Sequence, residues 1–322
     1  MTESRSETLT LQSLRQARIR LQNRIRTTPL IASRSISDVT EANVRLKAEH
    51  LQRTGSFKIR GAFNRLLTFD RTRVQGVVAA SSGNHGQAVA YAARALGLQA
   101  TIILPHGANR LKVRSTQDFG ARIEYAGTTS ADRLARALTL ADDLHPLVAP
   151  YDDYAVMAGQ GTIGLEILEQ WPEVEVVLVP IGGGGLISGI ATAIKSSAPH
   201  VRVIGVEPEG AAKVSASLAA GHRVTLESTI SVADGLKALT PGELTWPLIE
   251  RLVDAVVTVS DQAIVEATRL LAERTKQVVE PSGATALAYA LAPDHPLQGL
   301  NVVAVLSGGN IDWSSLLSAL GE

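Results

Sequence analysis

A chain of 322 residues has room for one large α/β domain, or for two moderate domains with cores of their own. Its 31 basic and 31 acidic residues cancel, so no net field gathers nucleic acid or an anionic membrane, and any anionic ligand has to be caught locally. The absence of cysteine removes disulfides, thiolate metal sites and cysteine nucleophiles together, and it fits a cytoplasmic protein.

Residues 1–10 are polar, unlike a secretory signal, and no apolar run reaches the roughly 20 residues needed to cross a bilayer. Residues 11–37 carry several arginines and no acid, as a transit peptide does. Leu14, Ala17, Leu21 and Ile25 nevertheless recur at helical spacing, and Thr28-Pro29 supplies a stop, so an amphipathic first helix is expected. Lys58 follows in the segment TGSFKIRGA, residues 54–62. A lysine taken alone is an ordinary solvated group. Here Gly55 permits a turn, Phe57 offers a flat face, and a lysine in a partly desolvated pocket loses its proton readily enough to form an imine.

From Val74 onward, β-branched runs at 77–80, 101–104, 174–179, 201–206 and 302–306 alternate with stretches rich in Ala and Leu. The pattern predicts an α/β fold of two parallel-type sheets wrapped by helices. Ligands should then collect at the carboxyl ends of strands, in the strand-to-helix turns. Three such turns are rich in Gly, Ser and Asn: SSGNHG at 81–86, GGGGL at 182–186 and SGGN at 307–310. No low-complexity linker separates two halves. The expected organisation is a smaller domain, 76–152, inserted in a larger one made of 1–75 and 153–322.

Gly182, Gly183, Gly184 and Gly185, with Leu186, lie between a predicted strand and a predicted helix at 187–195. Backbone free of side chains can turn its N–H groups onto an anion there, and the helix N-terminus adds its positive end. Glu207, about 20 residues further on, would suit the ribose of a dinucleotide. The third glycine of that fingerprint is missing, because Ile187 or Ser188 stands in its place, so a single phosphate is expected.

The stretch KAEHLQR (47–53) followed by TGSFKIRGA, then SSGNHGQA (81–88), AGQGT (158–162), GGGGL, VEPEG (206–210), VADG (232–235), EPSGA (280–284) and SGGN resembles the serine/threonine dehydratase and serine racemase family. That family belongs to the tryptophan-synthase-β type of pyridoxal phosphate enzymes, fold type II. The resemblance implies that Lys58 binds the C4′ atom of pyridoxal 5′-phosphate and later moves protons at Cα. It implies that Phe57 lies against the ring, that Asn84 meets its 3′-oxygen, and that Gly182, Gly183, Gly184, Gly185 and Leu186 hold the phosphate. Ser81, Asn84 and His85 would receive the substrate carboxylate through hydroxyl, amide and helix N-terminus. Ser307 would face the pyridine nitrogen. A neutral hydroxyl there makes a shallower electron sink than a carboxylate would, which favours loss of a β-substituent. Gln160, Asp234 and Glu280 are expected as neighbours of the site.

The reaction so implied is β-elimination on L-threonine or L-serine, giving 2-oxobutanoate or pyruvate and ammonia. Serine racemase, or a dehydratase of 3-hydroxyaspartate or phenylserine, is the alternative within the cofactor class. Racemisation draws on Ser82, a second serine in SSGNHG, whose hydroxyl on the face opposite Lys58 could reprotonate Cα; the other reading gives it only a hydrogen bond to the carboxylate or backbone. Metal-dependent relatives place a Glu, a carbonyl and an Asp in a loop where this chain has Glu207, Ala211 and Lys213. An ammonium at Lys213 would repel a dication, so no metal is expected. The chain stops a dozen residues after Asn310. No C-terminal regulatory domain fits there, and a catabolic or constitutive role is expected. The resemblance further implies a homodimer, without nucleic-acid or membrane partners. A nicotinamide dehydrogenase and a phosphometabolite-binding protein are the readings outside the class.

Overall fold

The apolar β-branched runs form strands buried on both faces in a computed structural model that describes residues 8–81, 83–108 and 110–320. In chain order the described strands are β1 Leu30–Ala32, β2 Asn43–Ala48, β3 Gly76–Ala80, β4 Gln99–Leu104, β5 Arg122–Tyr125, β6 Val176–Pro180, β7 Arg202–Pro208, β8 Ala255–Val259 and β9 Asn301–Leu306. They make a six-stranded sheet in the order β1-β2-β9-β6-β7-β8 and a three-stranded sheet in the order β3-β4-β5. Every pairing is parallel except β1 with β2, so the larger sheet is mixed rather than purely parallel.

The strand order is what positions the site. β9 comes last in the chain yet lies between β2 and β6, with Val176 opposite Val302 and Val44 opposite Val302 on its other side. The turns that leave β2, β9 and β6 therefore start side by side, at a point where the connection order of the sheet reverses. Those turns carry Lys58, Ser307 and the four glycines. The turn after β3 carries Ser81, Asn84 and His85 from the other sheet.

Helices cover both faces of the large sheet. Helix Pro281–Ala290 packs in one apolar cluster with Val176, Leu178, Val302 and Ala304, and helix Gly185–Ser197 in another with Val177, Val179, Val303 and Val305. A third cluster joins the small sheet to the Lys58–Leu66 helix through Ile59, Phe63, Val77 and Ile102. Burying the apolar side chains of such clusters stabilises by about 25 cal/mol per Å².

The first helix spans Leu11–Leu21 and buries Leu14, Ala17 and Leu21, with Thr10 and Ser13 exchanging the hydrogen bonds of a capping box. It ends before Ile25, short of the stop expected at Thr28, because Asn23 takes a left-handed φ of 62°. The helix expected from Ile187 begins at Gly185, one residue after Gly184 with φ 101°. Among the described residues no helix is long and apolar enough to cross a membrane.

Candidate active site

Lys58 opens its helix directly after Phe57, whose N–H donates to Ser307 O at 3.1 Å, while Ser56 bridges to Gly308. The loop before the lysine is thus sewn to the end of β9. Gly55, at φ 71°, is needed there because a Cβ would stand 2.2 Å from Asn310 Oδ1. The Lys58 amine donates to Pro150 O at 2.6 Å and lies 5.1 Å from the Phe57 ring centroid. Burial lowers its pKa from 10.5 to about 8, an outcome the single carbonyl partner does not reverse. In cofactor-free protein, competitive labelling with an amine-directed acylating reagent is expected to reach half its limiting rate at Lys58 near pH 8. A midpoint at the ordinary lysine value would remove the desolvation argument.

The four glycines have two separate justifications. A Cβ on Gly183 would stand 2.4 Å from the Tyr151 ring, one on Gly184 2.8 Å from Thr245 Oγ1, and one on Gly185 2.9 Å from Tyr151 Cα. Packing alone therefore demands glycine at 183, 184 and 185, a reason that the expectation of an anion cup did not contain. The turn is clamped further by Thr245, which donates its hydroxyl proton to Gly183 O at 2.7 Å, and by Asp152, which accepts from the N–H groups of Glu243, Leu244 and Thr245. Among the described residues the N–H groups of Gly182, Gly183, Gly184 and Gly185 meet no acceptor, and no side chain caps the helix behind them. This is a backbone anion site in form.

At the end of β3, Ser81 Oγ accepts from Gly83 N–H at 3.2 Å, and helix Asn84–Ala95 begins with no side-chain cap. Asn84 donates to Glu280 Oε1 at 2.6 Å and accepts from Asn310 Nδ2 at 2.7 Å, leaving one amide hydrogen for a ligand. His85 Nε2 lies 2.9 Å from Val148 O, which assigns the proton to Nε2 and leaves buried Nδ1 as a bare lone pair with no partner among the described residues. Burial, reinforced by the Lys58 charge, lowers the imidazole pKa to about 3. A neutral ring presenting a lone pair repels a carboxylate, so only the backbone N–H of His85 remains to receive one. Ser82 lies outside the described residues, and the structure places no hydroxyl for it.

Ser307 is buried, and among the described residues its hydroxyl reaches only Ser282 O, at a long 3.4 Å. Ser282 Oγ in turn accepts from Gly235 N–H at 2.8 Å, and Gly235 O lies 3.1 Å from the Cβ position of Gly182. These contacts close a ring that runs from Lys58 through Ser307, Ser282 and Gly235 to the glycine turn, and back through Tyr151 and Pro150. Gln160 lies against the lysine helix by accepting from Gly61 N–H at 3.1 Å, whereas Asp234 is exposed and paired with Lys237 at 2.7 Å. Pro150, Tyr151, Asp152 and Thr245 escaped sequence reasoning because PYDDY and the 242–245 loop carry no glycine-rich signal. The shallow hollow of about 370 Å³ lined by His106, Gly107, Ala108, Val113 and Tyr125 contains none of these residues.

Behind the glycine turn, Lys213 is completely buried, with its ammonium 2.9 Å from Glu207 Oε1. It donates to Ile181 O at 2.7 Å, Ala211 O at 3.0 Å and Leu236 O at 3.2 Å. Glu207 also accepts from Val214 N–H, Ser215 N–H and Ser215 Oγ at 2.9–3.0 Å. Among the described residues no group of three or more His, Asp or Glu is placed to hold a metal ion.

An amine of lowered pKa beside the Phe57 ring, a glycine turn with uncommitted N–H groups and a loosely bonded buried hydroxyl fit an aldehyde cofactor with an anionic tail. The comparisons agree. The L-threonine ammonia-lyase of Thermotoga maritima is 43% identical over 306 residues, spanning 94% of this chain and 76% of that protein. A catabolic L-threonine dehydratase of Escherichia coli K12 is 42% identical, spanning 95% and 94%. The structure of maize serine racemase superposes with a TM-score of 0.93 at 38% identity, spanning 98% of each chain. The family model described as pyridoxal-phosphate dependent enzyme matches residues 21–308, and the chain belongs to that family.

Proposed function

We propose that the protein deaminates L-threonine, L-serine or both by β-elimination: water leaves from Cα and Cβ, and one water is taken back when the resulting imine hydrolyses, releasing 2-oxobutanoate or pyruvate and ammonia. The observation that carries this is the pairing of a desolvated lysine, pKa about 8, with the neutral hydroxyl of Ser307 at the end of β9. The threonine ammonia-lyase and dehydratase relatives, at 43% and 42% identity, support the same reaction class.

The cofactor of this family is pyridoxal 5′-phosphate, which when bound draws electron density from the substrate Cα and makes its proton removable. Lys58 would hold its C4′ and, once freed, take the Cα proton; a pKa near 8 leaves a working fraction neutral at physiological pH. Gly182, Gly183, Gly184, Gly185 and Leu186 would hold the phosphate by N–H groups, and Phe57 would lie against the ring. Asn84 would offer its remaining amide hydrogen to the 3′-oxygen. The Ser81 hydroxyl and the N–H groups of Asn84 and His85, at the positive end of their helix, would orient the substrate carboxylate. Ser307 would meet the ring nitrogen without a formal charge, so that charge developing at Cα leaves through the β-hydroxyl. On the family resemblance alone, Ser82 would either deliver a proton to Cα in a racemase side reaction or hydrogen-bond the carboxylate or backbone, and the enantiomer analysis below separates the two.

We also assign 76–152 to a smaller domain within a larger one of 1–75 and 153–322, in keeping with the separate three-stranded sheet. A cytoplasmic homodimer is proposed on the family resemblance and the absence of cysteine. No divalent cation is assigned to the Glu207 loop.

A substrate panel of L-threonine, L-serine, D-serine, 3-hydroxyaspartate and phenylserine tests the reaction, with keto acid, ammonia and serine enantiomers all measured. Keto acid and ammonia are expected in equal amounts from L-threonine or L-serine. Accumulation of D-serine ahead of pyruvate would replace the lyase by a racemase.

A further inference from the structure

Among the described residues, a buried cluster of four charges lies away from the reacting groups, on the far side of the lysine helix. Arg60 is fully buried and grips two carboxylates in fork geometry. It donates to Glu49 Oε2 and Oε1 at 2.8 Å each, and to Glu166 Oε1 and Oε2 at 2.6 and 2.9 Å. Thr162 Oγ1 takes a further hydrogen at 3.0 Å. Lys47, also fully buried, closes the set on Glu166 Oε2 at 2.6 Å, Thr28 O at 2.8 Å and Gln170 Oε1 at 3.0 Å. Two cations and two anions balance within the cluster.

Such a cluster is poor at adding stability, since desolvating its charges offsets most of their attraction; what it does supply is a fixed geometry. The geometry fixed here is that of one short helix. Residues 58 and 60 differ by about 200° around a helix axis, so the guanidinium faces away from the amine. Beside it, a Cβ on Gly159 would stand 2.4 Å from Arg60 O and 2.7 Å from Gly61 Cα, so the lysine helix and the Tyr154–Gln170 helix cross at backbone contact. Arg60 thus ties the turn that carries Lys58 to the Glu49–Leu51 turn and to the Tyr154–Gln170 helix, and through Glu166 and Lys47 to β2. The amine side needs this support, because its one hydrogen bond is to Pro150 O.

We propose that Arg60 is a positioning residue for Lys58: gripped by Glu49 and Glu166, it holds the first turn of the lysine helix from behind, so that the amine stays in register with the substrate Cα after it leaves the cofactor. This rests on the reading that Lys58 carries the cofactor and acts as the base.

The test uses holoenzyme of Arg60→Lys, of the charge-balanced pair Arg60→Met with Glu49→Gln, and of Thr162→Val, which removes only one hydroxyl partner. Cofactor content and KM are expected to stay near the parent values. kcat should fall on the order of 10- to 100-fold in the Arg60 variants, the cost of misplacing a reacting group by about 1 Å, and less in Thr162→Val. The pH midpoint of the Lys58-linked visible absorption should move with it, and Arg60→Lys should recover part of both. A merely structural role would lower the melting temperature and leave kcat and that midpoint unchanged in the folded range; this result in Arg60→Lys or the pair overturns the proposal. Should the charge-balanced pair fail to fold, parental kcat in both Arg60→Lys and Thr162→Val overturns it instead. Lys58→Ala serves as the separate control: if it retains the absorption, the cofactor reading itself is wrong, whereas its loss alongside parental Arg60 variants refutes this inference alone.

Discussion

Lys58→Ala is expected to abolish the visible absorption of the purified protein and to slow ammonia release from L-threonine by at least about 1,000-fold, the combined loss of a covalent anchor and a general base. The fold should survive. The side chain makes a single hydrogen bond, to Pro150 O, and the loop around it is held by backbone bonds from Phe57 to Ser307 and from Gly309 to Gly55 that alanine keeps. Losing that one bond costs about 1 kcal/mol. Circular dichroism and melting of the variant separate loss of chemistry from loss of structure. Borohydride treatment of the parent, followed by peptide mapping, should place the cofactor mass on position 58. Activity within tenfold of the parent in a folded Lys58→Ala protein would show that another group carries the chemistry.

That lysine illustrates how far the sequence reaches. Its neighbours Gly55 and Phe57 mark a turn and a flat face, both visible in TGSFKIRGA, but the close helix crossing at Gly61 and the enclosure that lowers its pKa come from residues far along the chain. The carbonyl that accepts its proton is 92 residues away, in a segment with no motif of its own. Strands β3, β4, β6, β7 and β9 were legible as β-branched runs because both of their faces are buried. β2 was not, since Arg45 and Lys47 interrupt its apolar pattern, and Lys47 is polar because it serves the buried charge cluster rather than solvent. β1 and β5, at three and four residues, are too short to show a period. β8 has a β-branched AVVTV sequence as well, but as the edge strand of the large sheet it keeps half-exposed positions and lacks the doubly buried pattern of the others. The tetraglycine turn was legible as a ligand site, while its second cause, the Tyr151 ring against Gly183, exists only after two distant segments meet.

Lys213→Met is expected to destabilise the holoenzyme by about 3–5 kcal/mol, the cost of leaving a buried carboxylate without its counter-charge. Glu207 would keep its hydrogen bonds from Val214 and Ser215, but the ammonium now 2.9 Å from Oε1 would be gone, and so would the donor shared by Ile181 O, Ala211 O and Leu236 O. Ile181 directly precedes the glycine turn and Leu236 follows the Gly235 that packs on Gly182, so the loss should also weaken retention of the cofactor phosphate during dialysis. Lys213→Asp carries the argument a step further. Three carbonyls with two carboxylates form the all-oxygen set that a hard divalent cation selects, and the same charge reversal removes the repulsion that an ammonium exerts on a dication. The parent should therefore be indifferent to chelator and to added Mg²⁺, whereas Lys213→Asp should lose activity and melting temperature with chelator and regain both with Mg²⁺ or Mn²⁺. Chelator sensitivity in the parent, or anomalous scattering from Mn²⁺ beside Glu207 with Lys213 in place, would show that the ammonium does not take the role of the cation.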